Sequence, residues 1–156
     1  MTMNVTDTEV GTLRAGFLGG GFMAAVHSRA VRAAQATPAL IASSRPETSA
    51  SAARALGITA SAIDPAALIA SDIDVVHVCT PNATHAAYAA AALATGKHVI
   101  CEKPLATSVD EARALVTTAR ESGLVAAVPF VYRYHPQVRE MRARIARGEL
   151  GALLTL

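Results

Sequence analysis

The sequence has 156 residues, enough for one domain with a sizeable core. Hydrophobic residues make up 52% and charged residues 17%, which excludes a disordered chain. The net charge is only +2, and the basic residues are scattered apart from a cluster between Arg133 and Arg147, so no nucleic-acid surface is expected and that cluster reads as the solvated face of a helix.

Residues 1–12 are polar and mildly acidic. They lack the basic and apolar regions of a signal peptide, so they read as a flexible tail and the protein is expected in the cytoplasm. Leu13 to Leu18 reads as a short buried strand, ended by Gly19-Gly20-Gly21. Phe22 to Gln35 reads as a helix stopped by Pro38, with Met23, Val26, Ala30 and Ala33 spaced to face a core. Ala39 to Ser43 is a second strand and Glu47 to Leu56 a second helix, closed by Gly57. Ile58 to Ser61 suits a short third strand. Asp64 can cap the next helix, and Pro65 fits its first position because the missing N–H would have had no partner there.

Asp74 to Thr80 is a valine-rich run expected to be a central strand buried on both faces. Pro81-Asn82 breaks it, and a helix follows to Thr95. His98 to Glu102 is the next strand. Cys79 and Cys101 lie inside these apolar runs and read as buried thiols of a reducing compartment. Ser108 and Glu111 have capping-box spacing, so a helix begins there. Leu124 to Val131 reads as a last strand and Pro136 to Arg147 as a basic helix. No run of eighteen strongly apolar residues occurs, so no membrane partner is expected. Strand and helix alternating with short connections predict an α/β fold, a doubly wound and mainly parallel sheet of Rossmann type, over residues 13–150.

That context gives the glycines a purpose. Gly19-x-Gly21-x-x-Ala24 follows a strand and opens a helix, as a dinucleotide fingerprint requires. Gly19 permits a tight turn, Gly21 leaves no side chain between backbone and pyrophosphate, and Ala24 lets helix and strand pack closely. The N-terminus of the helix, at Phe22 and Met23, supplies free N–H groups and a favourable dipole for phosphate. After the second strand, where an Asp or Glu would hold both ribose hydroxyls of NAD, the chain has Ser43-Ser44-Arg45. Ser44 and Arg45 can bind a 2′-phosphate, so NADP is favoured over NAD. Thr80, Pro81 and Asn82 lie at the carboxyl end of a central strand, where open α/β sheets bind ligands. Asn82 can cap the next helix, bind the ribose, or both. His77, Cys79, His98 and Cys101 are read as core residues, because alternation along a strand splits them between faces and no compact ligand pair exists; no metal is expected.

The ordered set Cys79-Thr80-Pro81-Asn82-Ala83-Thr84-His85, Gly96-Lys97-His98-Val99-Ile100-Cys101-Glu102-Lys103-Pro104-Leu105 and Phe130-Val131-Tyr132-Arg133-Tyr134-His135-Pro136 resembles the glucose–fructose oxidoreductase, inositol dehydrogenase and rhizopine-catabolism (Gfo/Idh/MocA) family. The resemblance covers about residues 13 to 156. It implies a dinucleotide-binding domain of an oxidoreductase that moves hydride between NAD(P) and a sugar, polyol or related carbinol. It implies that His85 lies near the nicotinamide ribose, against the plainer reading of a surface histidine. It implies that Lys103 reaches toward substrate and nicotinamide as the catalytic residue in this chain. Glu102 then contacts the cofactor or orients the lysine; otherwise Glu102 and Lys103 are a surface ion pair of little worth. Arg133 matches the family segment, whereas Val131 stands where the family often has an Asn that contacts the cofactor amide.

The resemblance also implies a second, substrate-binding domain carrying acid–base residues, typically an Asp and a His, with residues 151–156 as its start. This chain alone is therefore expected to hold a cofactor rather than a complete active site, and homo-oligomers through the second domain are possible. The alternatives are a non-enzymatic dinucleotide-binding or sensing module, and an interaction module pairing through an apolar C-terminal strand.

Overall fold

The computed structural model describes residues 12–152; the tail and the last four residues, including most of the expected second-domain start, lie outside them. Six strands form one sheet: β1 (Arg14–Leu18), β2 (Thr37–Ala42), β3 (Ala60–Ser61), β4 (Val75–Val78), β5 (His98–Cys101) and β6 (Ala126–Ala127). Their order is β3-β2-β1-β4-β5-β6, and every pair is parallel. The helices are α1 (Phe22–Ala33), α2 (Pro46–Leu56), α3 (Pro65–Ala70), α4 (His85–Ala94), α5 (Val109–Ser122) and α6 (Pro136–Ala146). Parallel strands need crossovers, and the helices supply them on both faces.

Alternation along β1 shows how the two faces are filled. Ala15 and Phe17 point to one side, into a cluster with Ala24 and Val31 of α1, Ile41 of β2 and Ala53 of α2. Leu18 points to the other, into a larger cluster with Leu68 and Ile69 of α3, Val76 and Val78 of β4, Ala89, Ala92 and Leu93 of α4, and Leu115 of α5. The many alanines let helices sit close on the sheet. Two helix starts follow their sequence signals. Asp64 Oδ1 accepts the Ala67 N–H at 2.7 Å and Ser108 Oγ accepts the Glu111 N–H at 3.2 Å.

Two expectations about boundaries are corrected. Pro38 does not merely end a helix; α1 stops at Ala33 and Pro38 lies inside β2. The sheet accommodates it with an irregularity: Ala15 pairs with Pro38 but Gly16 with Leu40, so a bulge falls where proline lacks an N–H. The expected strand from Leu124 to Val131 shrinks to Ala126–Ala127, and Val131–Tyr134 forms a 3₁₀ turn instead. Pro129 cannot donate to a ladder, and β6 has a partner on one side only. The helix after Pro81 also opens with a 3₁₀ turn, Asn82–Thr84.

Candidate dinucleotide-binding site

The sheet order reverses between β1 and β4, because the chain leaves β1 toward β2 and returns on its other side. At such a switch point the connections diverge and leave a crevice beyond the carboxyl ends of the strands. A cleft of about 570 Å³ lies there, formed by the Gly19–Met23 turn, the end of β2 and the segment after β4.

The turn is built for close approach. Gly19 has φ +94°, and a Cβ on it would lie 2.6 Å from the Cys79 carbonyl oxygen. Its N–H donates to the Ala42 carbonyl at 2.7 Å, tying the turn to β2. Gly21 is the N-cap of α1 with no side-chain cap, and a Cβ there would meet nothing within 4 Å. The first amides of α1 therefore face open space with no intrahelical partner. This donor set fits a pyrophosphate: helix-terminal N–H groups, a favourable dipole and no side chain in the way.

Of the residues singled out in the sequence, Gly19, Gly21, Phe22, Met23, Ser44, Thr80 and Pro81 line this cleft. Arg45 follows Ser44 at the N-terminus of α2 and is exposed. Asn82 is exposed in the turn after β4. The sequence reasoning passed over Gly20, Ser43, Cys79, Thr84 and Tyr88, which also line the cleft. Thr84 has a local signal: its hydroxyl lies 2.7 Å from that of Thr80 and 2.8 Å from the Pro81 carbonyl, which shapes the turn. Gly20 is confined from behind, its added Cβ lying 2.8 Å from that of Ala52.

His85 is neither at the surface nor on the cleft. It is 1% exposed, with Nδ1 2.6 Å from the Pro104 carbonyl and Nε2 2.8 Å from the Thr80 carbonyl. It thereby joins the segment after β4 to the one after β5. Glu102 is also buried, and points inward to His27 of α1 rather than out to the cleft. Lys103, beyond it, is exposed. Arg133 lies in a separate groove with Phe130, Tyr134, Val138 and Arg139. Burial pushes the thiol of Cys79 up to about 12, with Glu102 and Cys101 adding to it; burial and Glu102 do the same to Cys101. Neither is a nucleophile at neutral pH. Among the described residues no group of His, Cys, Asp and Glu is placed to hold a metal ion, and no helix is long and apolar enough to cross a membrane.

Comparison with known proteins agrees with this geometry. Residues 13–130 match the model of the oxidoreductase family with NAD-binding Rossmann fold, GFO_IDH_MocA. The levoglucosan dehydrogenase of Pseudarthrobacter phenanthrenivorans is 40% identical over 153 residues, covering 92% of this chain and 39% of that protein. A D-xylose 1-dehydrogenase (NADP(+)) of Haloferax volcanii is 40% identical over 129 residues, covering 81% of this chain and 39% of that one. Among solved structures, levoglucosan dehydrogenase in complex with NADH superposes with a TM-score of 0.87 at 38% identity, over 92% of this chain and 41% of that one. The chain thus spans about 40% of the length of these relatives. It belongs to the Gfo/Idh/MocA oxidoreductase family and carries that family's NAD(P)-binding Rossmann domain.

Proposed function

We propose that this chain is the cofactor-holding part of an oxidoreductase that transfers hydride between a nicotinamide dinucleotide and a sugar, polyol or related carbinol. The observation that carries the reading is the open space at Gly21, where uncapped amides of α1 face a cleft at the switch point of the sheet. The carbinol class rests on the relatives, which are named for levoglucosan and D-xylose. The dinucleotide, when bound, supplies the two-electron hydride chemistry.

The chain's own residues then divide the work. Gly19 sets the turn, and the amides at Gly21, Phe22 and Met23 bind the pyrophosphate. Thr80, Pro81 and Asn82 border the nicotinamide half. His85 holds the segments after β4 and β5 together from within. Lys103 donates a hydrogen bond to the carbinol oxygen and orients it. Arg133 is brought to the cofactor by the family resemblance alone, since it lies in a separate groove with Phe130 and Tyr134. The acid–base group comes from outside the described residues. Two unpaired thiols, Cys79 and Cys101, suit a protein of the reducing cytoplasm.

The cofactor is proposed to be NADP. No acidic side chain stands at the end of β2, where Ala42-Ser43-Ser44 leads into Arg45. The Ser43 N–H donates to Ser49 Oγ at 2.8 Å and the Arg45 N–H to Thr48 Oγ1 at 3.2 Å, so the α2 N-terminus holds this segment in place. A 2′-phosphate there meets the Ser44 hydroxyl, the Arg45 guanidinium and the positive end of α2. Calorimetric titration is expected to show NADPH binding about tenfold or more tighter than NADH. Arg45→Asp should weaken NADPH far more than NADH. Equal loss of both removes the 2′-phosphate role, and binding of neither by the unsubstituted chain removes the dinucleotide reading.

A further inference from the structure

The buried face of α1 carries a polar network that dinucleotide binding leaves unused. His27 of α1, His77 of β4 and Glu102 beyond β5 are all nearly excluded from solvent. His27 Nε2 lies 3.1 Å from Glu102 Oε1, and His27 Nδ1 lies 3.0 Å from His77 Nδ1 and 3.5 Å from Cys79 Sγ. The other Glu102 oxygen, Oε2, accepts the main-chain N–H of Lys103 at 3.1 Å. Apolar side chains fill such a space without desolvating a carboxylate, so packing alone does not account for these residues.

The donors can be assigned. A carboxylate only accepts, so His27 Nε2 carries a proton. Burial, with the neighbouring His27, pushes His77 down to about 3, so His77 is neutral and has one N–H. The contact between His27 Nδ1 and His77 Nδ1 holds one shared proton, with the Cys79 thiol beside it. His77, Cys79 and Glu102 are the titratable groups in contact with His27.

We infer that His27 and Glu102 are positioning residues for Lys103. His77 is hydrogen-bonded to His27, His27 donates to Glu102, and Glu102 accepts the Lys103 N–H. The main chain at Lys103 is thereby fixed to the helix whose N-terminus forms the phosphate turn. A dinucleotide gripped by α1 and the lysine beside its nicotinamide are located by one set of hydrogen bonds. This rests on the reading of Lys103 given above.

The test uses the full 156-residue chain, whose only lysines are Lys97 and Lys103. Lys97 is an internal reference for acylation by a small activated ester, mapped by mass spectrometry. Saturating NADPH is expected to protect Lys103 relative to Lys97. In His27→Phe and Glu102→Ala that protection should fall about threefold or more while the NADPH Kd moves less than about twofold, since the phosphate turn is untouched. A merely structural role would move both together. Glu102→Gln should restore protection, because its carbonyl accepts the Lys103 N–H and its amide donates to His27. Imidazole nitrogen NMR should then show His27 Nε2 without its proton, and the single proton of the His27–His77 contact on His27 Nδ1. Unchanged protection in both folded variants overturns the inference, as does loss of protection and Kd in parallel. So does a His27 in the unsubstituted chain without a proton on Nε2, a readout that stands if the variants fail to fold. Failure of the dinucleotide reading looks different: the unsubstituted chain binds neither NADH nor NADPH, while the tautomer still decides the network.

Discussion

Gly19 and Gly21 are glycine for different reasons, and substitution separates them. Gly19 combines φ +94° with a Cβ position 2.6 Å from a backbone oxygen. Gly19→Ala must strain the turn or push β4 away, at about 1–3 kcal/mol, so melting temperature and NADPH affinity fall together. Gly21 has φ −89° and ψ −161°, extended backbone that any residue adopts. Gly21→Ala should leave the melting temperature nearly unchanged, yet its methyl enters the space assigned to the pyrophosphate and raises the NADPH Kd about tenfold or more. Thermal melts and calorimetric titration of both variants check the pair; equal thermal losses would remove the distinction. His77 gives a second residue-scale test. Its pKa is about 3 in the fold against 6.5 for an unperturbed histidine. Between those values the unfolded chain binds a proton that the folded chain refuses. Stability contributed by neutral burial is therefore complete above the unfolded pKa and is lost as pH falls toward the folded one, by up to about 1.4 kcal/mol per pH unit. Denaturant unfolding of the chain and of His77→Asn at several pH values in this window should show a shallower slope for the variant. Equal slopes would mean that His77 takes up its proton without unfolding.

Elements differ in how much of their cause is local. The start of α5 depends on Ser108, in extended backbone with its Oγ on the Glu111 N–H, and on acidic side chains at Asp110 and Glu111 that suit the helix dipole. Leu115 is the one buried residue of α5, so the cap carries weight that packing would otherwise supply. Ser108→Ala should lower the unfolding free energy by about 1 kcal/mol in urea, and Ser108→Asp should recover most of it. Signals of this kind, like Asp64-Pro65 and the glycine turn, were legible in the sequence because their partners lie within one turn of chain. Pro38 was misread because its place in β2 depends on a bulge against β1, which no local pattern carries. The run from Leu124 to Val131 looked like a long strand because its residues favour β structure; Pro129 and a single neighbour cut it to two residues. The inward turn of Glu102 was hidden for a similar reason. Its partner His27 stands 75 residues earlier, on a helix whose apolar spacing pointed to Met23, Val26, Ala30 and Ala33 as the core face, whereas the buried residues are Ala24, His27, Ser28 and Val31. His85 looked like a surface or ribose-facing residue because its two close neighbours are main-chain carbonyls, which leave no trace in side-chain pattern.

At the scale of the molecule, binding and the C-terminal region are separable. The cleft is lined by residues between Gly19 and Tyr88, and the two buried clusters reach no further than Leu115. Both residues of β6 are exposed and α6 buries none of its side chains. Residues 131–152 thus contribute little to the core and, among the described residues, nothing to the lining of the dinucleotide cleft. Arg133 is the counterweight, since the family resemblance brings it to the cofactor while the structure places it in a groove with Phe130, Tyr134 and Arg139. Removing residues 131–156 decides between them. If the cleft alone sets affinity, the shortened chain melts cooperatively and its NADPH Kd stays within about threefold of the full chain. If Arg133 supplies a charge-assisted hydrogen bond to the cofactor, the loss is about tenfold or more, and Arg133→Ala in the full chain reproduces it. A large loss on shortening without an effect of Arg133→Ala would instead mean that another part of the removed segment supports the cleft from outside.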